Sequence, residues 1–242
     1  MNDFAAAMKA AADDLGGRGI GTLGEKSLHL ALKYYFAPDS GTHEQTVGGF
    51  IADAVTEDGV IEVQTRSLHR LKPKLQAFLP HCPVTVVHPV AAETLLCAVD
   101  ENGELLGRRK SPKHETVWHA MPEIARLHEF LTHPGFRVCV VSLDLVQYYR
   151  QISRRQREKL DRAPLSVNGL WMLCGTEDYL ALLPRDCPRE VTGGKLAEVL
   201  GIPKPCAAAY LRILRKLGAA AVTGKQGRQN VIAIAGPETA QR

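Results

Sequence analysis

The sequence predicts an α/β fold with a smaller unit of different pattern at its C-terminus. Over the first 150 residues, helix-prone segments with one apolar face alternate with short β-prone runs. An Asp-Gly pair between two of those runs is a strong hairpin signal. The last stretch instead shows two helices followed by two short β-prone runs. A chain of 242 residues is long enough for two modest domains.

The first half of the chain begins with helices. Residues 3–15 are rich in alanine and favour a helix. A second helix is predicted to begin at Thr22, to bury Leu28 and Leu32, and to end before Pro38.

A hairpin follows these helices. Residues 46–55 and 60–66 are predicted strands on either side of Glu57-Asp58-Gly59. A helix is expected within 68–79, with Pro73 in its first turn.

Further elements continue the alternation up to residue 189. They are a short buried strand at 84–87, hairpin strands at 95–99 and 105–109, a helix at 122–132, a strand at 137–143, a helix over the basic stretch 150–162, and strands around 169–183. Residues 1–150 are therefore assigned to the α/β domain. Residues 151–189 are assigned to a basic connecting segment with short strands.

Residues 190–242 form the predicted C-terminal unit. Thr192 can cap a helix that ends at Gly201, and a longer helix opened by proline ends at Gly218. Two β-prone runs follow, at 219–223 and 230–234. The order is helix, turn, helix and a two-stranded wing.

Composition and charge bound the function. The net charge is +4, and the excess positive charge lies in the second half of the chain, which favours a polyanionic partner; a solvated basic surface is the alternative. The six cysteines are scattered, which disfavours a structural zinc site. Neither a signal peptide nor a membrane-length apolar run is evident, so we expect a cytoplasmic protein without a membrane partner. A homodimer is compatible with these features.

The predicted hairpin places two acidic residues on the same face, because side chains alternate between the two faces of a strand. With Asp58-Gly59 as a two-residue loop, Val55 lies opposite Glu62 and Asp53 opposite Gln64. The Asp53 and Glu62 carboxylates then share one face as diagonal neighbours. A three-residue loop would separate them.

Two carboxylates on one strand face repel each other unless a positive charge lies between them. A hard cation such as Mg²⁺ or Mn²⁺ takes oxygen ligands and retains water molecules. Water held in this way can attack a phosphodiester. The alternative is an exposed hairpin face with ordinary acidic residues.

This order of motifs resembles the PD-(D/E)XK nuclease superfamily, whose fold is restriction-endonuclease-like. The match consists of a helix with Glu25, a strand with Asp53 and a strand with Glu62-Val63-Gln64. The resemblance implies a mixed sheet flanked by helices. It also implies metal binding by the Asp53 and Glu62 carboxylates and the Val63 carbonyl, with Glu25 completing the catalytic site.

The resemblance covers residues 20–90 well and extends loosely to residue 150. Gln64 departs from the pattern, because the superfamily usually has lysine there. A glutamine can hydrogen-bond but cannot offset negative charge. Lys72 or Lys74 on the following helix could supply that charge, and a surface role is the alternative for each.

The C-terminal pattern resembles winged helix-turn-helix domains of bacterial regulators over residues 190–235. Such domains bind DNA or, alternatively, proteins. The basic residues that could contact nucleic acid are Arg66, Lys74, Lys204, Arg212, Arg215, Lys216, Lys225 and Arg228.

Together these features predict a Mg²⁺-dependent nuclease that hydrolyses phosphodiester bonds in DNA and holds it with the winged helix. Gln64 would be the fourth catalytic position beside Glu25, Asp53 and Glu62. One alternative is a catalytically inactive, nuclease-like regulator that binds DNA. A nuclease acting on RNA is another.

Overall fold

A computed structural model describes residues 3–15, 26–153 and 156–235. Its α-helices are α1 (Phe4–Asp14), α2 (Lys26–Phe36), α3 (Lys72–Phe78), α4 (Met121–Ile124), α5 (Thr176–Leu180), α6 (Gly193–Leu200) and α7 (Lys204–Lys216). Its strands are β1 (Thr46–Val47), β2 (Phe50–Ile51), β3 (Ala54–Thr56), β4 (Gly59–Val63), β5 (Val84–Val99), β6 (Leu105–Lys110), β7 (Phe136–Gln151), β8 (Arg157–Leu173), β9 (Glu190–Val191), β10 (Ala220–Gln226) and β11 (Gln229–Ile234).

A central mixed sheet organises the fold. Its strand order is β3-β4-β5-β7-β8, and β6 also pairs with β5. The β4–β5 and β5–β7 pairs are parallel, whereas β3–β4, β5–β6 and β7–β8 are antiparallel. Helices flank this sheet, which confirms the expected mixed α/β class. None of the described helices is long and apolar enough to cross a membrane.

Helices cover the sheet through separate apolar clusters. Leu28 and Leu32 of α2 pack with Ile61 and Val63 of β4. Val60, whose side chain alternates with theirs, joins a different cluster that includes the apolar residues of α3, α4, α6 and α7. The β4 strand is therefore covered on both sides, and every one of its residues is buried.

The first hairpin differs from the predicted register. The pairs are Thr56 with Gly59, Val55 with Val60 and Ala54 with Ile61, so the two loop residues are Glu57 and Asp58. The predicted pairing of Val55 with Glu62 is wrong by two residues.

The position of Gly59 explains this register. Its φ of +116° is unfavourable for residues with a side chain, and a Cβ atom there would lie 2.2 Å from the carbonyl oxygen of Pro83. The glycine is therefore needed where β4 begins beside β5, rather than within the loop. A two-residue slip preserves the face of every side chain, so the predicted parity survives.

The predicted strand over 46–55 is broken into three short pieces. A turn at Gly48 and Gly49, both with positive φ, pairs β1 with β2. A Cβ atom on Gly48 would lie 2.6 Å from the carbonyl oxygen of Ala77 in α3. Close packing of this turn against α3 therefore interrupts the strand before Asp53.

Strands replace the helix predicted over 150–162. Arg150, one residue before the end of β7, pairs with Glu158 of β8, and Gln147 pairs with Arg162. Long-range pairing with β7 overrides the local helical preference. Residues 151–189, expected to hold short strands, thus contribute the 17-residue β8 to the central sheet.

Other predicted elements change length. Segments 84–87 and 95–99 belong to the continuous 16-residue strand β5. The helix expected over 122–132 is the four-residue α4 between 3₁₀ turns, Val117–Ala120 and Ala125–Leu127. The strands expected around 169–183 end at Leu173, before α5.

The C-terminal elements match the predicted order. Thr192 Oγ1 accepts a hydrogen bond from Lys195 N at 3.2 Å, and Gly201 ends α6 with a φ of +62°. The antiparallel pair β10–β11 is extended by β9, which was not predicted. Tyr210 of α7 donates a buried hydrogen bond to the carbonyl of Tyr179 at 2.7 Å. The α7 helix therefore shares a core with the preceding elements.

Candidate metal centre and nucleic-acid interface

Asp53, which immediately precedes β3, lies directly against Glu62 of β4. Because Ala54 pairs with Ile61, the next position of each strand sets Asp53 opposite Glu62. Asp53 N donates to Glu62 Oε1 at 3.2 Å, and Val63 N donates to Asp53 Oδ2 at 2.8 Å. Each strand thus fixes the carboxylate of the other, and the two acids are closer than the predicted diagonal arrangement.

Glu62 is the more deeply buried of the two acids. Only 2% of its side chain is exposed. Burial and the neighbouring charge of Asp53 raise its pKa to about 7, although the ion pair with Lys74 acts in the opposite direction. Burial and the Asp53 charge together therefore outweigh the stabilising effect of Lys74 on the Glu62 carboxylate.

Asp53 has the opposite character. Burial alone would raise its pKa, but His29, the N–H of Val63 and the charge of Lys74 together hold the pKa below the ordinary value. His29 Nε2 on α2 lies 3.5 Å from Asp53 Oδ1. Asp53 is therefore the permanently ionised member of the pair near neutral pH.

Lys74 of α3 contacts Glu62 directly. Its Nζ atom donates to both Glu62 oxygens, each at 2.9 Å. Lys72 instead binds Glu129 at 2.7 Å, away from the carboxylate pair. Of the two lysines considered from the sequence, only Lys74 therefore reaches this pair.

Gln64 and Val63 have different surroundings. Gln64 Nε2 donates to the carbonyl of Arg66 at 2.5 Å, so this amide is engaged with the following loop. Gln64 N and O both bond toward β5, to Val87 O and His88 Nδ1. Because N–H and C=O directions alternate along a strand, the carbonyl of Val63 faces the Asp53 side.

The oxygen atoms at this position are suitable ligands for a small, hard cation. Two adjacent carboxylates and one backbone carbonyl are oxygen ligands of the kind that Mg²⁺ and Mn²⁺ accept, with water completing the shell. Among the described residues, no group of three or more His, Cys, Asp or Glu side chains is arranged to hold a metal ion. Glu25, the expected further acid, lies outside the described residues.

The predicted nucleic-acid contacts lie in three places. Arg66, in the loop after β4, lines a groove on the sheet, and Lys74 is at the carboxylate pair. The others are exposed on α7, on β10 or in the turn after it: Lys204, Arg212, Arg215, Lys216, Lys225 and Arg228. Arg212, Arg215 and Lys216 border an open cavity of about 510 Å³ beside β10.

The sequence alone does not indicate the positions of two residues near the candidate centre, Lys74 and His88. It leaves Lys72 and Lys74 equivalent as sources of charge, although Lys74 lies three residues after Leu71 and four before Phe78, on the edge of the buried helix face. No local signal in the sequence marks His88, because its contact with Gln64 depends on the parallel β4–β5 pairing.

Comparison with known proteins gives a family. Residues 26–170 match the family described as "Domain of unknown function (DUF8091)". The chain is also 33% identical over 215 residues to an "Uncharacterized protein" of Treponema pallidum (strain Nichols), covering 86% of this chain and 85% of the relative. None of the solved structures gives a significant match. The chain therefore belongs to the DUF8091 family.

Proposed function

We propose that this protein is a metal-dependent nuclease that hydrolyses phosphodiester bonds in DNA. The observation that carries the proposal is the contact of Asp53 with Glu62, with Lys74 bonded to both oxygens of Glu62. Within the proposal, the mixed sheet and its helices are a restriction-endonuclease-like domain. The elements from β9 to β11 are a winged helix.

The carboxylates of Asp53 and Glu62, with the carbonyl of Val63, would hold the metal ion. Bound Mg²⁺ or Mn²⁺ would lower the pKa of a coordinated water and polarise the phosphodiester. Asp53, whose pKa is lowered, offers a carboxylate that is already ionised. Glu62 loses its proton near neutral pH and then provides the second ionised carboxylate for the metal ion.

Lys74 takes the part that a neutral Gln64 cannot. An ammonium group beside the reacting phosphate offsets the negative charge that develops during hydrolysis. Lys74 Nζ is 2.9 Å from Glu62, so it lies at the same place as the carboxylates although it comes from α3. The glutamine at position 64 is then compatible with catalysis.

The basic surface of the C-terminal unit supports DNA as the substrate. Arg212, Arg215 and Lys216 are exposed near one end of α7 and border the cavity beside β10. Lys225 and Arg228 add charge at the far end of the β10–β11 hairpin. Clustered basic residues on a helix and an adjacent hairpin suit phosphate contacts along a duplex.

Cleavage of duplex DNA with Mg²⁺ or Mn²⁺ tests the proposal. The parent protein should cut, and Asp53→Asn and Glu62→Gln should each lower the rate by about 100-fold or more. Lys72→Met is the matched control, because Lys72 lies on α3 but pairs with Glu129. Circular dichroism should show that all variants remain folded. A parent protein that cuts DNA with neither metal would overturn the proposal, and cleavage of RNA alone would support the RNA-directed alternative instead.

A nuclease-like protein that binds DNA without cutting it is the second candidate. It is favoured by the Gln64 amide, which bonds to the Arg66 carbonyl, and by Lys74, which already neutralises part of the Glu62 charge. In that case the parent binds DNA but does not cut it, and Asp53→Asn leaves the affinity unchanged.

A further inference from the structure

A polar groove lies beside the candidate centre, on the sheet beyond the end of β4. It has a volume of about 370 Å³ and is lined by parts of β5, β7 and β8, by the loop after β4 and by the segment before α4. Four cationic side chains line it: Arg66, Lys113, Lys159 and Arg162. Such a concentration of positive charge in one concave site favours an anionic ligand.

The acidic side chains of the groove are already engaged by the scaffold. Glu115 accepts hydrogen bonds from Ala91 N at 3.0 Å and Lys113 Nζ at 2.5 Å. Glu123 accepts one from Leu68 N at 2.9 Å. These bonds fix the loops around the groove and leave the cations in excess.

Two polar side chains of the groove have hydrogen-bond donors available for a ligand. Gln147 Nε2 is buried and has no hydrogen-bond partner in the part of the chain that the structure describes. A buried donor without a partner costs about 1–3 kcal/mol, which an anionic oxygen would relieve. The Lys159 side chain likewise makes no ion pair or hydrogen bond within residues 3–15, 26–153 and 156–235.

The groove adjoins the end of β4 next to the carboxylate pair. His88 is buried in the groove wall and bonds through Nδ1 to the carbonyl of Gln64 at 2.7 Å. Gln64 is two residues after Glu62 along the same chain segment. A nucleic-acid strand held at the carboxylates therefore has the groove beside it.

We propose that the groove binds a nucleotide phosphate of the nucleic-acid strand next to the cleavage position. This proposal rests on the nuclease function proposed above. A volume of about 370 Å³ is within the range of small-molecule sites and suits one nucleotide unit. Lys159 and the Gln147 amide would donate to the phosphate oxygens. The phosphate is either internal to the strand or at its end.

Binding to a labelled single-stranded oligonucleotide in EDTA tests the groove without requiring cleavage. Lys159→Gln should weaken binding about three- to tenfold at moderate salt and reduce the slope of log affinity against log salt by about 0.7. Lys9→Gln, on an exposed lysine of α1 outside the groove, is the matched control and should leave both unchanged. Gln147→Leu should also weaken binding without lowering stability, because it removes an unpaired buried donor.

The oligonucleotide is used with a 5′-phosphate, with a 3′-phosphate and with neither. If the groove takes a strand end, one phosphorylated form binds the parent more tightly and Lys159→Gln removes that advantage. If the groove takes an internal phosphate, Lys159→Gln binds all three forms of the oligonucleotide more weakly than the parent does, and by the same factor. Binding by Lys159→Gln and Gln147→Leu that equals the parent's would overturn the groove proposal, even when the protein cleaves DNA. Loss of binding in these variants supports the groove even when no cleavage is found.

Discussion

Replacing Glu62 by glutamine removes a charge from the buried side of the candidate centre while keeping the shape of the side chain. The pKa of Glu62 in the folded protein is about 7, against an ordinary value of 4.5. The two pKa values differ by about 2.5, and each pKa unit corresponds to a free energy of about 1.4 kcal/mol. The ionised carboxylate therefore costs the folded state about 3–4 kcal/mol once the pH is well above 7.

The sign of the effect follows from the raised pKa. Between pH 4.5 and 7 the folded protein keeps a proton that the unfolded chain releases. The contribution of Glu62 is fully present below pH 4.5 and is lost as the pH rises through 7. Glu62→Gln lacks this loss, so its free energy of unfolding relative to the parent should rise by up to about 3 kcal/mol between about pH 5 and about pH 8.

Urea unfolding of parent and variant across this pH range measures the difference. The pH dependence that both proteins share cancels in the comparison. The variant also loses the ion pair with Lys74, so the test is the change of the difference with pH and not its absolute value. A difference that does not change with pH, or that moves in favour of the parent as the pH rises, would refute the reasoning.

Three further changes test other parts of the structure. Lys74→Met should lower the metal-dependent cleavage rate by about 100-fold, whereas Lys72→Met should cut at the parental rate; equal rates for both would remove Lys74 from the mechanism. Tyr210→Phe should lower the free energy of unfolding by about 1–2 kcal/mol, measured by denaturant, because the carbonyl of Tyr179 loses a buried donor; an unchanged midpoint would contradict this. Arg215→Gln should reduce the salt slope of duplex binding in EDTA by about 0.9, and an unchanged slope would exclude a phosphate contact there.

The convergence of Asp53 and Glu62 could be predicted because it depends on parity. The Asp58-Gly59 signal located the hairpin within two residues, and a slip of two residues leaves each side chain on its face. The C-terminal helices could also be predicted from the sequence, because Thr192 and Gly201 are local capping signals that long-range contacts did not override.

The rest depends on contacts between distant segments. The basic run after Arg150 favours a helix locally, but pairing with β7 makes it a strand. Because of that pairing, Lys159 and Arg162 come to line the same groove as Arg66 and Gln147. No spacing along the chain joins these residues, so the sequence could not indicate the groove.

The central claim is that Asp53 and Glu62 together bind a divalent cation. Electron paramagnetic resonance of Mn²⁺ added to the protein at about pH 8 tests it most directly, because the signal of free Mn²⁺ is lost when the ion binds. We expect saturable binding by the parent that Mg²⁺ displaces, and its loss in both Asp53→Asn and Glu62→Gln. A parent that binds no Mn²⁺, or an Asp53→Asn variant that binds it as the parent does, would contradict the claim.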